Sequence, residues 1–164
     1  MSILVADVGG TNTRLALVGD DGAPGAISRF ANADYGSFYE LLGAFGAAQG
    51  FAGIRVCCVA VAGPVSSGSA RLTNRDWRFD AGKIAGALGG AAEVALVNDL
   101  AALGHSLPGL RPGQVAEIKP ARDRRPSNGQ SLVAGLGTGF NVCLVKEGPG
   151  GLAVIEAELG HASL

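Results

Sequence analysis

Residues 3–8 (ILVADV) form a short apolar run that stops at Gly9-Gly10, the pattern of a buried strand. Residues 13–19 (TRLALVG) alternate well enough for a second strand, and Gly19-Asp20-Asp21-Gly22 reads as a turn. A third strand over residues 25–31 completes an antiparallel meander. Phe38, Leu41, Leu42 and Phe45 then recur at i, i+3, i+4 and i+7 behind Ser37. That spacing predicts an N-capped amphipathic helix packing one stripe on the sheet. Residues 54–62 (IRVCCVAVA) are nearly all apolar, as expected of a central strand covered on both faces, and Gly63-Pro64 ends it. Asp80 caps a helix running through Leu88, with Gly89-Gly90 as its stop. Glu93 to Val97 is another buried strand, followed at once by Asn98-Asp99 and a helix over 99–106. This order predicts an α/β fold with a mixed sheet.

From Leu107 to Gly129 the pattern gives way to Pro, Gly and charge, with a short strand-like piece at 114–119. We place the passage into a second lobe here, giving lobes at 1–110 and 111–164. Residues 131–136, 140–146 and 152–156 predict a second meander of strands. Strand, Gly-Thr turn, strand at 3–18 recurs at 131–146, in the manner of a pseudo-duplication. The second unit ends at Leu164 on strands with no helices to cover them, so the lobe reads as incomplete.

Composition narrows the function classes. Apolar residues make up 48% and charged residues 16% of the 164, a globular balance, while aromatics at 5% leave the core to aliphatic side chains. The net charge of −1 lacks the basic face that nucleic acid or an anionic membrane calls for. Arg122, Arg124 and Arg125 form one basic run among Pro and Gly, read as a solvated loop. No stretch is long and apolar enough to span a bilayer. Cys57 and Cys58 are strand neighbours pointing to opposite faces, and Cys143 lies in another apolar run. They read as reduced core thiols, not as a metal knuckle or a disulfide framework.

Four constellations carry candidate chemistry. Asp7-Val8-Gly9-Gly10-Thr11-Asn12 sets a carboxylate at a strand end before a glycine-rich turn. Such a turn can aim backbone N–H groups at an anion while Asp7 holds a hydrated Mg²⁺; it can equally be an ordinary hairpin. Gly135-Leu136-Gly137-Thr138-Gly139 is followed by a strand rather than a helix, which excludes a dinucleotide fold, and the absence of Gly-Lys-Ser/Thr excludes a Walker loop. Two similar turns could instead pinch a polyphosphate. Asn98-Asp99 ends a buried strand, where ligands collect in α/β sheets; Asp99 can be a general base or a helix N-cap. Glu158 and His161 stand three apart on a turn, able to accept from and donate to vicinal hydroxyls.

DVGGTNTRLAL at 7–17, AGP at 62–64, LTNRDW at 72–77, VNDL at 97–100, GLGTG at 135–139 and ELGH at 158–161 together resemble bacterial glucokinases in order and approximate spacing. The resemblance spans the whole chain, and TNxR and TNxxW favour that family over its ROK relatives. It implies an RNase H-like (actin/hexokinase) fold and a cytoplasmic enzyme that phosphorylates glucose or a related hexose with ATP and Mg²⁺. Asp7, Gly9, Gly10, Thr11 and Asn12 are then the first phosphate loop, with Gly137, Thr138 and Gly139 in the second. Asn98, Asp99, Glu158 and His161, with Asn74 in the same cleft, hold the sugar, and Asp99 deprotonates its 6-hydroxyl.

The family often continues with a small residue and glycine where Phe140-Asn141 stand; a bulky Phe there can be accommodated if it packs into the second lobe. By the same resemblance, the adenine pocket, a further sugar carboxylate and much of a dimer interface lie past Leu164. The chain as it stands is therefore expected to turn over weakly or not at all. Two other classes stay open: a non-catalytic sugar-binding half-protein, and an ATPase of the same superfold with another substrate.

Overall fold

The structure, a computed structural model, describes residues 2–120, 128–136 and 140–157. It divides into two compact units, Met1–Asp99 and the residues from Leu100 on.

The first unit is built on a five-stranded mixed sheet. β1 (Ser2–Val8), β2 (Asn12–Val18) and β3 (Ser28–Ala31) make the antiparallel meander, and β4 (Ile54–Val61) pairs parallel with β1. Helix α1 (Phe38–Gln49) makes the crossover, and a small antiparallel sheet of β5 (Val65–Ser66), β6 (Ser69–Arg71) and β7 (Arg78–Asp80) follows. Helix α2 (Ala81–Ala87) then leads to β8 (Glu93–Asn98), which joins β4 in parallel, giving the order β3-β2-β1-β4-β8.

Local chemistry starts and stops these elements. Ser37 Oγ accepts from Glu40 N at 3.2 Å to cap α1, and Gly50 ends it at φ 75, a conformation that favours glycine. Asp80 caps α2 by accepting from Lys83 N at 2.8 Å. Phe38, Leu41, Leu42 and Phe45 are all buried, so the predicted stripe is the packed one. They share a core with Leu4, Ala6 and Val8 of β1, Cys57, Val59 and Val61 of β4, and Ile84 of α2. Each buried Phe, Leu, Ile or Val among them contributes on the order of 1.5–3 kcal/mol of transfer free energy.

Two expectations change, and one small sheet is new. β4 is fully covered on one face only: Val56, Cys58 and Ala60 on the other are half-buried, and Ala95 beside Cys58 is exposed. An apolar run prepares a face for burial, but α1 and α2 both feed the same core. The third strand is shorter than expected, beginning at Ser28, with Gly25 N donating to Leu17 O as the earlier contact. The β5–β7 sheet carried no readable alternation because its strands are two or three residues long. Its first turn, Ser67-Gly68, has φ 48 and 75, the positive values of a two-residue hairpin loop.

The second unit contains helix α3 (Asp99–Ser106) from Leu100 onward, a 3₁₀ turn at Leu107–Gly109, and a three-stranded antiparallel sheet. Its strands are β9 (Gln130–Leu136), β10 (Phe140–Gly148) and β11 (Gly151–Ala157), in the order β11-β10-β9. Leu100 packs with Cys143 and Val145 against Leu107, Val133, Leu152 and Val154. Gly104 lets the helix approach this sheet, since a Cβ there would lie 2.9 Å from Val145. The strand expected at 114–119 does not form. Gly113 turns at φ 93, Arg111 N donates to Gln114 Oε1, and Ile118 is 97% exposed, so the segment has no sheet edge to pair with. The basic run at Arg122, Arg124 and Arg125 lies outside the described residues.

Cys57 and Cys143 are buried, and Cys58 is half-buried. Desolvation pushes the Cys57 thiol up to about 12, with repulsion from Cys58 adding to it, and desolvation raises Cys58 as well. The unfolded chain releases these protons first as pH rises, so the thiols' contribution to folding stability is constant below the ordinary value of 9.0 and falls between there and about 12. Urea denaturation at stepped pH measures that slope. Iodoacetamide at neutral pH should leave Cys57 unmodified until the chain is unfolded.

Candidate active site

The carboxyl ends of three parallel strands finish on one row. Val8 of β1 stands opposite Val61 of β4, and Val61 stands opposite Asn98 of β8. The residues that leave this row are Gly9-Gly10, Ala62-Gly63 and Asp99. Neighbouring strands lie about 4.8 Å apart, so Asp99 stands roughly 10 Å from the glycine turn along the sheet edge. That is the edge at which open α/β sheets bind ligands.

The turn between β1 and β2 closes with Gly9 N donating to Asn12 O at 3.0 Å. Neither Gly9 nor Gly10 has a positive φ, so the glycines are not serving a left-handed hairpin loop. They serve close approach. A Cβ on Gly9 would lie 3.3 Å from Asn12 O, and one on Gly10 would lie 3.1 Å from Asn74 Nδ2. Thr11 and Asn12 are exposed at the tip. Asp7, half-exposed, pairs in register with Arg14, whose Nη1 donates to Asp7 Oδ2 at 2.6 Å. An exposed ion pair of this kind is worth about 0–1 kcal/mol.

Gly63 is the joint of the site. Asn98, 4% exposed, donates from Nδ2 to Gly63 O at 3.2 Å, which ties the end of β8 to the end of β4. Ala62 N donates to Val8 O at 2.9 Å, tying β4 to β1. Thr73 donates from both N and Oγ1 to Ala62 O, which brings the loop carrying Asn74 to Gly10. The backbone passes so near that a Cβ on Gly63 would lie 2.1 Å from Arg71 O. Asp99 is half-buried and opens α3 as its first residue, so the capping position before it belongs to Asn98.

The structure therefore brings Asp7, Gly9, Gly10, Thr11, Asn12 and Asn74 to one turn, and Asn98 and Asp99 to the same sheet edge. Gly137, Thr138, Gly139, Glu158 and His161 lie outside the described residues. Beside them, Leu136 and Phe140 face each other across the β9–β10 pair, and Phe140 is 47% exposed, not packed away. Among the described residues, no group of three His, Cys, Asp or Glu could hold a metal ion by itself. No helix among them is long and apolar enough to cross a membrane.

Sequence reasoning missed Arg14 as the partner of Asp7, although antiparallel register across a short turn would have paired them. It also missed Gly63, Thr73 and Asn32, whose contacts run to or from backbone carbonyls distant in sequence and leave no local side-chain pattern.

The family model described as glucokinase matches residues 4–164. A glucokinase from Caulobacter sp. (strain K31) is 32% identical over 96% of this chain and 48% of its own length. The crystal structure of a glucokinase from an Antarctic psychrotroph superposes with a TM-score of 0.81 at 31% identity, covering 99% of this chain and 52% of that one. A ROK family glucokinase from Streptomyces griseus, solved with glucose and AMPPNP, shares the fold at a TM-score of 0.64 and 21% identity over 100% of this chain and 51% of that one. The chain thus spans about half the length of the relatives it matches.

Two glycine substitutions should move stability in opposite directions. Gly63→Ala meets a backbone oxygen that cannot swing aside and is expected to cost about 1–3 kcal/mol. Gly43→Ala, exposed on α1 with nothing within 4 Å of its Cβ, should add about 0.5–1 kcal/mol. Urea denaturation of both variants checks the pair.

Proposed function

The chain belongs to the glucokinase family, and on that premise we propose that it carries the sugar site and first phosphate loop of a hexose kinase. The kinase moves the γ-phosphoryl group of ATP to the 6-hydroxyl of glucose or a related hexose. What supports this most is the shared row of strand ends, which sets Asp99 roughly 10 Å from the Gly9-Gly10 turn. That separation leaves room for a sugar hydroxyl beside the carboxylate and a phosphate at the turn.

In this reading Asp99 accepts the proton of the 6-hydroxyl as that oxygen bonds to the γ-phosphorus and the bond to the β-phosphate oxygen breaks. Asn98 orients the sugar from its buried position, Asn74 lines the cleft, and Glu158 and His161 grip further hydroxyls. Gly9, Gly10, Thr11 and Asn12 supply donors to one end of the polyphosphate, and Gly137, Thr138 and Gly139 to another part. A single half-exposed carboxylate at Asp7 suits Mg²⁺, which keeps several waters and shares its remaining sites with phosphate oxygens. When bound, the ion neutralises the charge of the transferring group. A cytoplasmic homodimer belongs to the same reading and rests on the family resemblance.

Asp99→Asn preserves shape at the first helical position and removes the base. Glucose-dependent release of ADP by the full protein should fall by about 10²–10⁴, with KM for ATP little changed. A coupled assay with glucose, other hexoses and no sugar tests the rest. Hydrolysis independent of sugar would make the protein an ATPase with another substrate. Glucose binding without any turnover would make it a sugar-binding protein.

A further inference from the structure

Asn32 begins the 3₁₀ turn Asn32–Asp34 immediately after β3, and it is wholly buried. Burying an amide is costly unless each of its groups finds a partner. The partners of its side-chain amide and of its backbone N–H belong to the strand ends and turn of the β1–β2 hairpin, while its own carbonyl accepts from Tyr35 N. Asn32 Nδ2 donates to Gly9 O at 2.8 Å, Thr13 Oγ1 donates to Asn32 Oδ1 at 2.8 Å, and Asn32 N donates to Thr11 O at 2.9 Å. Thr13 is wholly buried as well. One buried residue therefore holds two carbonyls of the glycine turn from beneath and is itself oriented by a third residue of that hairpin.

The consequence follows from peptide geometry. The chain has no cis peptide bond among the described residues, and in a trans peptide the N–H points opposite to the C=O. Fixing the Gly9 carbonyl inward turns the Gly10 N–H outward, and fixing the Thr11 carbonyl inward does the same for the Asn12 N–H. These are donors that the kinase reading assigns to phosphate. A glycine pair is otherwise free to rotate its peptide planes, which would forfeit that arrangement.

We infer that Asn32, oriented by Thr13, is a positioning residue that presets the N–H groups of the first phosphate turn. Its action is on polyphosphate affinity, not on the sugar. The inference rests on the kinase reading and adds to it a residue outside the motifs that carry the family resemblance.

Two variants test it in the full protein. Asn32→Asp keeps the acceptor for Thr13 and loses the donor to Gly9; Thr13→Val leaves the Asn32–Gly9 bond and loosens its orientation. The control is Tyr39→Phe, which removes a bond from Asp80 N to Tyr39 Oη at 3.0 Å elsewhere in the same unit. Calorimetric binding of MgATP and of glucose, and KM for each, are measured alongside Tm. Asn32→Asp should weaken MgATP about tenfold, the effect of one lost buried hydrogen bond. Thr13→Val should act in the same direction by less, glucose affinity should stay within about twofold, and Tyr39→Phe should lower Tm without moving either ligand. Equal losses for ATP and glucose, unchanged ATP affinity in Asn32→Asp and Thr13→Val, or the same ATP loss in Tyr39→Phe would overturn the positioning role and leave the kinase reading intact. A wild type that binds neither MgATP nor hexose would overturn both.

Discussion

Three parallel strand ends meet on one row, and Gly63 holds them there. Its carbonyl takes the amide of Asn98, its neighbour Ala62 bonds Val8 on one side and Thr73 on the other, and its missing Cβ lets the Arg71 carbonyl pass at close range. A side chain at this point would push the loop carrying Asn74 away from Gly10 and loosen the tie between β4 and β8. The sugar-side residues and the phosphate-side residues of the proposed site are thus placed by the same few backbone bonds.

The polar groups in the first unit follow a consistent division. Buried ones, Thr13, Asn32 and Asn98, bond strand ends and turns together. Exposed or half-exposed ones, Asp7, Arg14, Thr11, Asn12, Asn74 and Asp99, lie at the edge where a ligand can reach them. Low dielectric makes the buried bonds rigid, and rigidity beneath a binding surface lowers the cost of organising it when ligand arrives. The pairing of Asp7 with Arg14 adds a cation beside the Gly9-Gly10 turn while leaving both side chains about half exposed.

Each unit by itself repeats one device, an antiparallel meander of three strands. In the first unit the meander is extended by two parallel strands and covered on one face by helices. In the second, α3 and the 3₁₀ turn cover one face of β9–β11, while Leu132, Leu144 and Ile155 form an exposed row across the other. Apolar rows of that kind mark surfaces made for packing.

Periodicity alone was enough for the main elements of the first sheet, for α1 with its Ser37 cap, and for the α/β class, because burial on one face imposes a repeat that side chains must obey. The motifs 7–17, 72–77 and 97–100 likewise named the candidate residues, since glycines, carboxylates and amides at strand ends are scarce and specific. Short strands such as β5–β7 escaped because two or three residues cannot display a period, and the segment at 114–119 was misread because apolar alternation does not create a partner edge. What only the tertiary structure decided is the backbone chemistry of the site: the row Val8–Val61–Asn98, the wedge at Gly63 and the amide of Asn32 beneath the glycine turn. These depend on contacts between residues 8 to 53 positions apart, and each has a backbone group on at least one side. Nothing in the local pattern of side chains encodes which carbonyl a distant amide will find.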